Sequence, residues 1–180
     1  MIYIQRIYIY FLYPLFTCLF AFQENIFHAN LSIVGSKEGM HFVFVLWAIC
    51  CEIALSIGFR SCLHKSIHSR KLMVFIAGSA FLFIFAILLP YLPKEYPIVS
   101  ELHINLSFIA LFSLLVDIAL MVMSLRMTYC IYPYDVYLIL IYLGALGIFG
   151  ANYMSVNSLV EIYLGILLPI YLDRLGGYLK

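Results

Sequence analysis

The stretch Pro97-Ile-Val-Ser-Glu-Leu-His-Ile-Asn-Leu-Ser-Phe-Ile-Ala-Leu-Phe-Ser-Leu-Leu-Val-Asp117 decides how the chain is read, because a polar lip carrying Glu101 and His103 runs unbroken into an apolar helix. At 3.6 residues per turn, His103, Ser107, Ala110, Leu114 and Asp117 fall on one narrow face, while Ile, Leu and Phe fill the others. A small and polar stripe on an otherwise apolar helix has to face protein or water, because lipid cannot satisfy its polar groups.

The rest of the composition places that helix in a bilayer. The 180 residues are 66% hydrophobic and 11% charged, with a mean hydropathy of +1.07, far from the mix of a water-soluble domain. A formal charge of +1 leaves no basic face for phosphates, so a nucleic-acid partner is excluded. The five cysteines, Cys18, Cys50, Cys51, Cys62 and Cys130, form no C-x-x-C pair and read as small apolar residues, not as disulfides or metal ligands. Arg6 precedes an apolar run ending Leu-Phe-Thr-Cys-Leu-Phe-Ala-Phe-Gln-Glu-Asn25 with no small-residue cleavage pattern, so the first helix is expected to be uncleaved.

Apolar runs predict six transmembrane helices, at about 4–22, 41–59, 72–90, 103–125, 134–153 and 158–173, in one all-α domain spanning residues 1–180. Pro14 is expected to kink the first. The third is apolar all round and reads as structural, with Gly78, Ser79 and Ala80 as a close-packing patch. Gly144, Gly147, Gly150 and Ala151 predict a face of the fifth on which another helix packs closely. Pro90, Pro93 and Pro97 interrupt the loop before the fourth. Placing the N-terminus inside puts Arg6, Arg60, Lys65, Arg70, Lys71, Arg126, Arg174 and Lys180 in the cytoplasm and leaves Lys37 and Lys94 outside. The expected topology is therefore N-in and C-in, in the plasma membrane, with helices 2, 4 and 6 descending from the outer face.

Glu52, Asp117 and Glu161 lie within predicted spans, where a charge costs about 2.5–3.5 kcal/mol on insertion scales, so they are expected to turn into the bundle. The candidate ligand-binding residues are Asn30, Ser32, His41, Glu52, Glu101, His103, Ser107 and Asp117: the outer loops would set the first two and the histidines at a rim above the buried acids. A rim histidine would titrate near neutral pH. No H-x-x-x-H or H-E-x-x-H pair lies on any helix, so no metal or cofactor is expected. His103 and Ser107, four apart, could form a nucleophile and base with Glu101 orienting the ring, but no G-x-S-x-G accompanies them and no catalytic residue is assigned.

Asn30-Leu-Ser32-Ile33-Val34-Gly35, followed by an apolar helix, a proline-bearing second outer loop and His103 at the entry of the fourth helix, resembles a family of six-helix prokaryotic membrane proteins classed as a domain of unknown function. That family is similar to the eukaryotic damage-regulated autophagy modulator group. The resemblance covers about residues 7–175 and implies fold and membrane placement, with no substrate and no catalytic residue. The expected function is a binding, sensing or accessory membrane protein with an outward-facing polar site for a small molecule, lipid or ion, and with the bilayer and a membrane-protein partner as its surroundings. A small proton-linked or ion-linked transporter is the first alternative, and an intramembrane lipid or peptide hydrolase the second.

Overall fold

The computed structural model describes residues 2–151 and 157–179, and among them every regular element is a helix. The first apolar run folds as α1 (Ile2–Ile7), a π-helical stretch (Tyr8–Leu12) and α2 (Tyr13–Ala21). Pro14 explains the break. It carries no N–H for the Tyr10 carbonyl and its ring crowds the preceding turn, so the helix widens and the Tyr13 N–H reaches back five residues to the Tyr8 carbonyl. A polar strap follows, containing the short α3 (Leu31–Gly35), then α4 (His41–Leu63), α5 (Ser69–Leu88), α6 (Pro97–Arg126), α7 (Tyr132–Ala151) and α8 (Ser158–Tyr178).

Five of these helical runs are long and apolar enough to cross a membrane: Tyr3–Ala21, His41–Leu63, Ser69–Leu88, Pro97–Arg126 and Tyr132–Ala151. The sixth predicted span, α8, is not among them, and it carries Glu161, Asp173 and Arg174. Helix α6 starts at Pro97, six residues before the predicted boundary at His103, because proline is well placed in a first turn where its missing N–H is not needed. At 30 residues it is about 45 Å long, longer than the roughly 30 Å apolar slab of a bilayer. Helix α4 likewise runs on past position 59 to Leu63. The predicted end of the fifth span at Tyr153 lies outside the described residues, as does Lys180.

Two helix pairs form the body of the bundle, α5 against α6 and α4 against α8. The second pair is tight because of glycine. A Cβ on Gly58 would lie 2.7 Å from Cβ of Leu172, and one on Gly176 would run into the side chain of Ser61. Fully buried Ala54, Cys62, Leu172 and Leu175 fill the seam, and the Cys62 thiol donates to the Leu172 carbonyl at 3.4 Å. Helix α7 packs on α8, where Gly144 receives the ring of Tyr163. Among the described residues nothing lies within 4 Å of a Cβ on Gly147 or Gly150, so among them these two glycines are not used for close packing and Gly144 is. Small residues permit a close approach; they do not supply the neighbour.

A second core lies under the strap. Phe20, Phe44 and Trp47 stack with centroids about 6 Å apart, covered by Leu31 and Val34 of α3. Asn30 caps α3 by accepting the Ile33 N–H at 2.9 Å. Gly39 ends the strap at φ 77°, a left-handed turn that a side chain would strain. Lys37 pairs with Glu24 across the strap, and this hydrogen bond and charge hold the Glu24 carboxyl below the usual range. At the opposite end Arg6 lies 3.9 Å from Asp173 and Arg126 lies 3.7 Å from Asp135.

Candidate functional site

A cavity of about 160 Å³, set in a cleft of about 1300 Å³ that includes space open to the outside, separates the α5/α6 pair from the α4/α8 pair. Its walls are mostly apolar: Trp47 and Leu55 from α4, Phe83 from α5, Leu111 and Leu114 from α6, Leu168 from α8. Helix α6 makes extensive contact with α5 and little with α4, which leaves one flank unsealed. Ile104 and Phe108 line the cavity there while remaining 38% and 49% exposed, so it opens sideways through the surface that an embedded bundle presents to lipid.

One set of polar groups lies at the end covered by the strap, and Glu52, Ser56 and Ser79 line the cavity farther along α4 and α5. His103 is 1% exposed. Its Nδ1 lies 2.8 Å from the Ala86 carbonyl and 3.0 Å from the Leu89 carbonyl at the end of α5. Two carbonyl oxygens can only accept, so Nδ1 carries the proton and Nε2 presents its lone pair. Ser32 Oγ, 2.8 Å from Nε2, then donates its hydroxyl proton to the ring. The Tyr91 ring covers the imidazole at 5.6 Å between centroids.

The strap is fastened to α8 beside this pair. Glu161 Oε2 accepts the Leu31 N–H at 2.6 Å, and the Ser158 N–H and hydroxyl both donate to the Ala29 carbonyl, at 2.7 and 2.9 Å. Asn157 caps α8 through the Val160 N–H and donates from Nδ2 to the Phe27 carbonyl at 3.2 Å. These bonds fix Ser32 in place, since it follows directly on Leu31.

Of the residues proposed from the sequence, Asn30, Ser32, Glu52, His103 and Ser107 line the cavity. His41 and Glu101 do not. Both are exposed, and His41 borders a smaller neighbouring hollow that shares Ser32, Phe44 and Tyr91 with the main one. His103 is not a rim residue, because α3 lies over it, and its ring is held by Ser32 instead of by Ser107 four residues along its own helix. Asp117 is buried but lies outside the cavity lining, accepting a 2.5 Å bond from the Ser79 hydroxyl of α5. Ser79 and Phe83 make α5 a wall of the cavity and more than a structural helix. Glu161 and Trp47 were not among the proposed site residues; the acid within a predicted span was the available signal for Glu161. Among the described residues no three His, Cys, Asp or Glu side chains converge as metal ligands do.

The fold and site define an all-helical protein built for a membrane, with an internal amphipathic cavity. Comparison with protein families, with curated proteins and with solved structures finds no match to this chain.

Proposed function

We propose that the chain is a multi-pass plasma-membrane protein that binds a lipid-like amphiphile between α5/α6 and α4/α8. Six spans with both termini in the cytoplasm, α8 included, put the strap and the polar end of the cavity at the outer face and the basic loops inside. The observation that carries the reading is the lining of the cavity: mostly apolar, open on its flank, with one set of polar groups beneath the strap and another, Glu52, Ser56 and Ser79, farther along α4 and α5. Acyl chains fit the walls formed by Trp47, Phe83, Leu111 and Leu168, and a polar head fits Asn30, Ser32, His103 and Glu161. A transporter would use a chain of acids through the bundle, and the absence of Asp117 from the lining, where its bonding partner Ser79 stands, favours binding instead.

Trp47 is the one tryptophan of the chain and lines the cavity while only 5% exposed, so its emission reports what enters. A monoacylglycerol brominated on its acyl chain is expected to quench Trp47 in detergent-solubilised protein, and Ala80→Phe, which fills the cavity, is expected to abolish the quenching. Equal quenching of the Ala80→Phe protein would place the lipid on the outer surface and sink the proposal. Topology has its own reporter in Cys130, the exposed thiol at the basic end. A membrane-impermeant maleimide is expected to spare Cys130 in intact cells and to label it after permeabilisation, with a cysteine at Glu95 showing the reverse. Labelling of Cys130 in intact cells would invert the orientation.

A further inference from the structure

We propose that Ser32 and His103 are a nucleophile and base that cleave the ester of a neutral acylglycerol held in the cavity. This rests on the lipid-binding reading above and adds a reaction to it.

Three features of the pair go beyond a buried hydrogen bond. The tautomer is the one catalysis needs: with Nδ1–H fixed on the Ala86 and Leu89 carbonyls, the basic Nε2 faces the Ser32 hydroxyl at 2.8 Å. Those carbonyls sit at the C-terminal end of α5, where the aligned peptide dipoles favour a positive charge, so the imidazolium formed during attack is stabilised without a third side chain. Both residues also line the cavity, so an ester that enters from the flank reaches the hydroxyl without passing through water. Asn30 supplies a donor. Its Oδ1 is taken by the Ile33 N–H, and its Nδ2, which has no hydrogen-bond partner among the described residues, is available to an oxyanion in the same cavity.

The lining also selects the substrate. No lysine or arginine is among the lining residues, whereas Glu52 and Glu161 are. A phosphate head would find no countercharge and two carboxylates, so a glycerol ester without phosphate is preferred. The reaction balances with water as the only co-reactant. Ser32 Oγ attacks the ester carbonyl carbon as its proton passes to His103 Nε2. The bond from that carbon to the glycerol oxygen then breaks, and the Nε2 proton goes to the departing oxygen. Water, deprotonated by the same Nε2, releases the fatty acid from Ser32 and restores the hydroxyl.

The test uses the full chain in detergent micelles with two probes, a fluorophosphonate and a monoacylglycerol. Wild-type protein is expected to take one fluorophosphonate adduct, mapped by peptide mass spectrometry to Ser32, and to release fatty acid from the monoacylglycerol. His103→Gln is expected to lower both by about 100-fold or more, and Ser32→Ala to abolish them. No adduct on wild-type Ser32 and no fatty acid release, with Trp47 still quenched, would overturn the catalytic proposal and leave the binding reading standing. Loss of quenching in the wild type would overturn both. The wild-type adduct and turnover decide the matter even if a variant fails to fold.

Discussion

Replacing Gly58 by valine is expected to cost the protein about 1–3 kcal/mol or more, the range for forcing extra atoms into a packed seam. The added Cβ would come within 2.7 Å of Leu172 Cβ and 3.4 Å of the Pro169 carbonyl oxygen, neither of which is the free end of a side chain. Relief requires α4 and α8 to move apart, which also opens the buried row of Ala54, Cys62 and Leu175. Leu172→Ala alone leaves a hole at a fully buried site and is itself destabilising, by about 2–5 kcal/mol in soluble cores. Combined, the two changes are expected to recover only part of the Gly58→Val cost, because alanine keeps the Leu172 Cβ that the new Cβ meets at 2.7 Å and vacates only the Cδ1 position at 3.4 Å. Thermal or denaturant unfolding in micelles measures all three proteins, and strict additivity would show that the helices do not meet at these residues.

Glu161→Ala is expected to release the strap. The Leu31 N–H would lose its acceptor in a partly buried place, a loss worth about 1–3 kcal/mol, and the strap would keep the bonds from Asn157, Ser158 and the Leu159 N–H to the Phe27, Ala29 and Ile26 carbonyls. Because Ser32 follows Leu31, its contact with His103 would loosen as well. Amide hydrogen exchange over residues 25–36 is expected to rise at least tenfold, while exchange in the α4–α8 seam stays unchanged. Glu161→Gln, which keeps an acceptor oxygen, is expected to restore most of the protection. Unchanged exchange in the Ala variant would mean that the Asn157, Ser158 and Leu159 bonds hold the strap without Glu161.

How far these features could be read in advance depends on how local they are. Five helices of membrane-crossing length were legible because each is an apolar run of about the length that a bilayer demands, whereas α8 is not among them, and the polar stripe of α6 was legible from the 3.6-residue period alone. His103 and Ala110 are indeed buried, and Ser107 and Leu114 line the cavity. The partners on the far side of each contact were not legible. Ser32 meets His103 across 71 positions and Leu31 meets Glu161 across 130. A helix as short as α3 has no periodicity to announce it, so the strap read as a loop and His103 as a rim residue. The glycines of α7 show the converse: spacing records where a helix can be approached, and only the path of the chain decides that Tyr163 fills one of those places and that no described residue fills Gly147 or Gly150.

The unsealed flank beside Ile104 and Phe108 changes the units in which affinity for this cavity is to be expressed. A molecule entering there arrives from the bilayer, where its chains have already left water, so hydrophobic transfer adds nothing further to its retention. Occupancy then follows the mole fraction of that lipid among its neighbours, not its concentration in solution. Lengthening its chain by one methylene, worth about 0.8 kcal/mol on leaving water, raises the amount partitioned into the membrane and leaves the fraction of filled cavities nearly constant. On the proposed reading, selection among lipids falls instead to the polar groups of the lining, Glu52 and Ser56 of α4 as well as those beneath the strap.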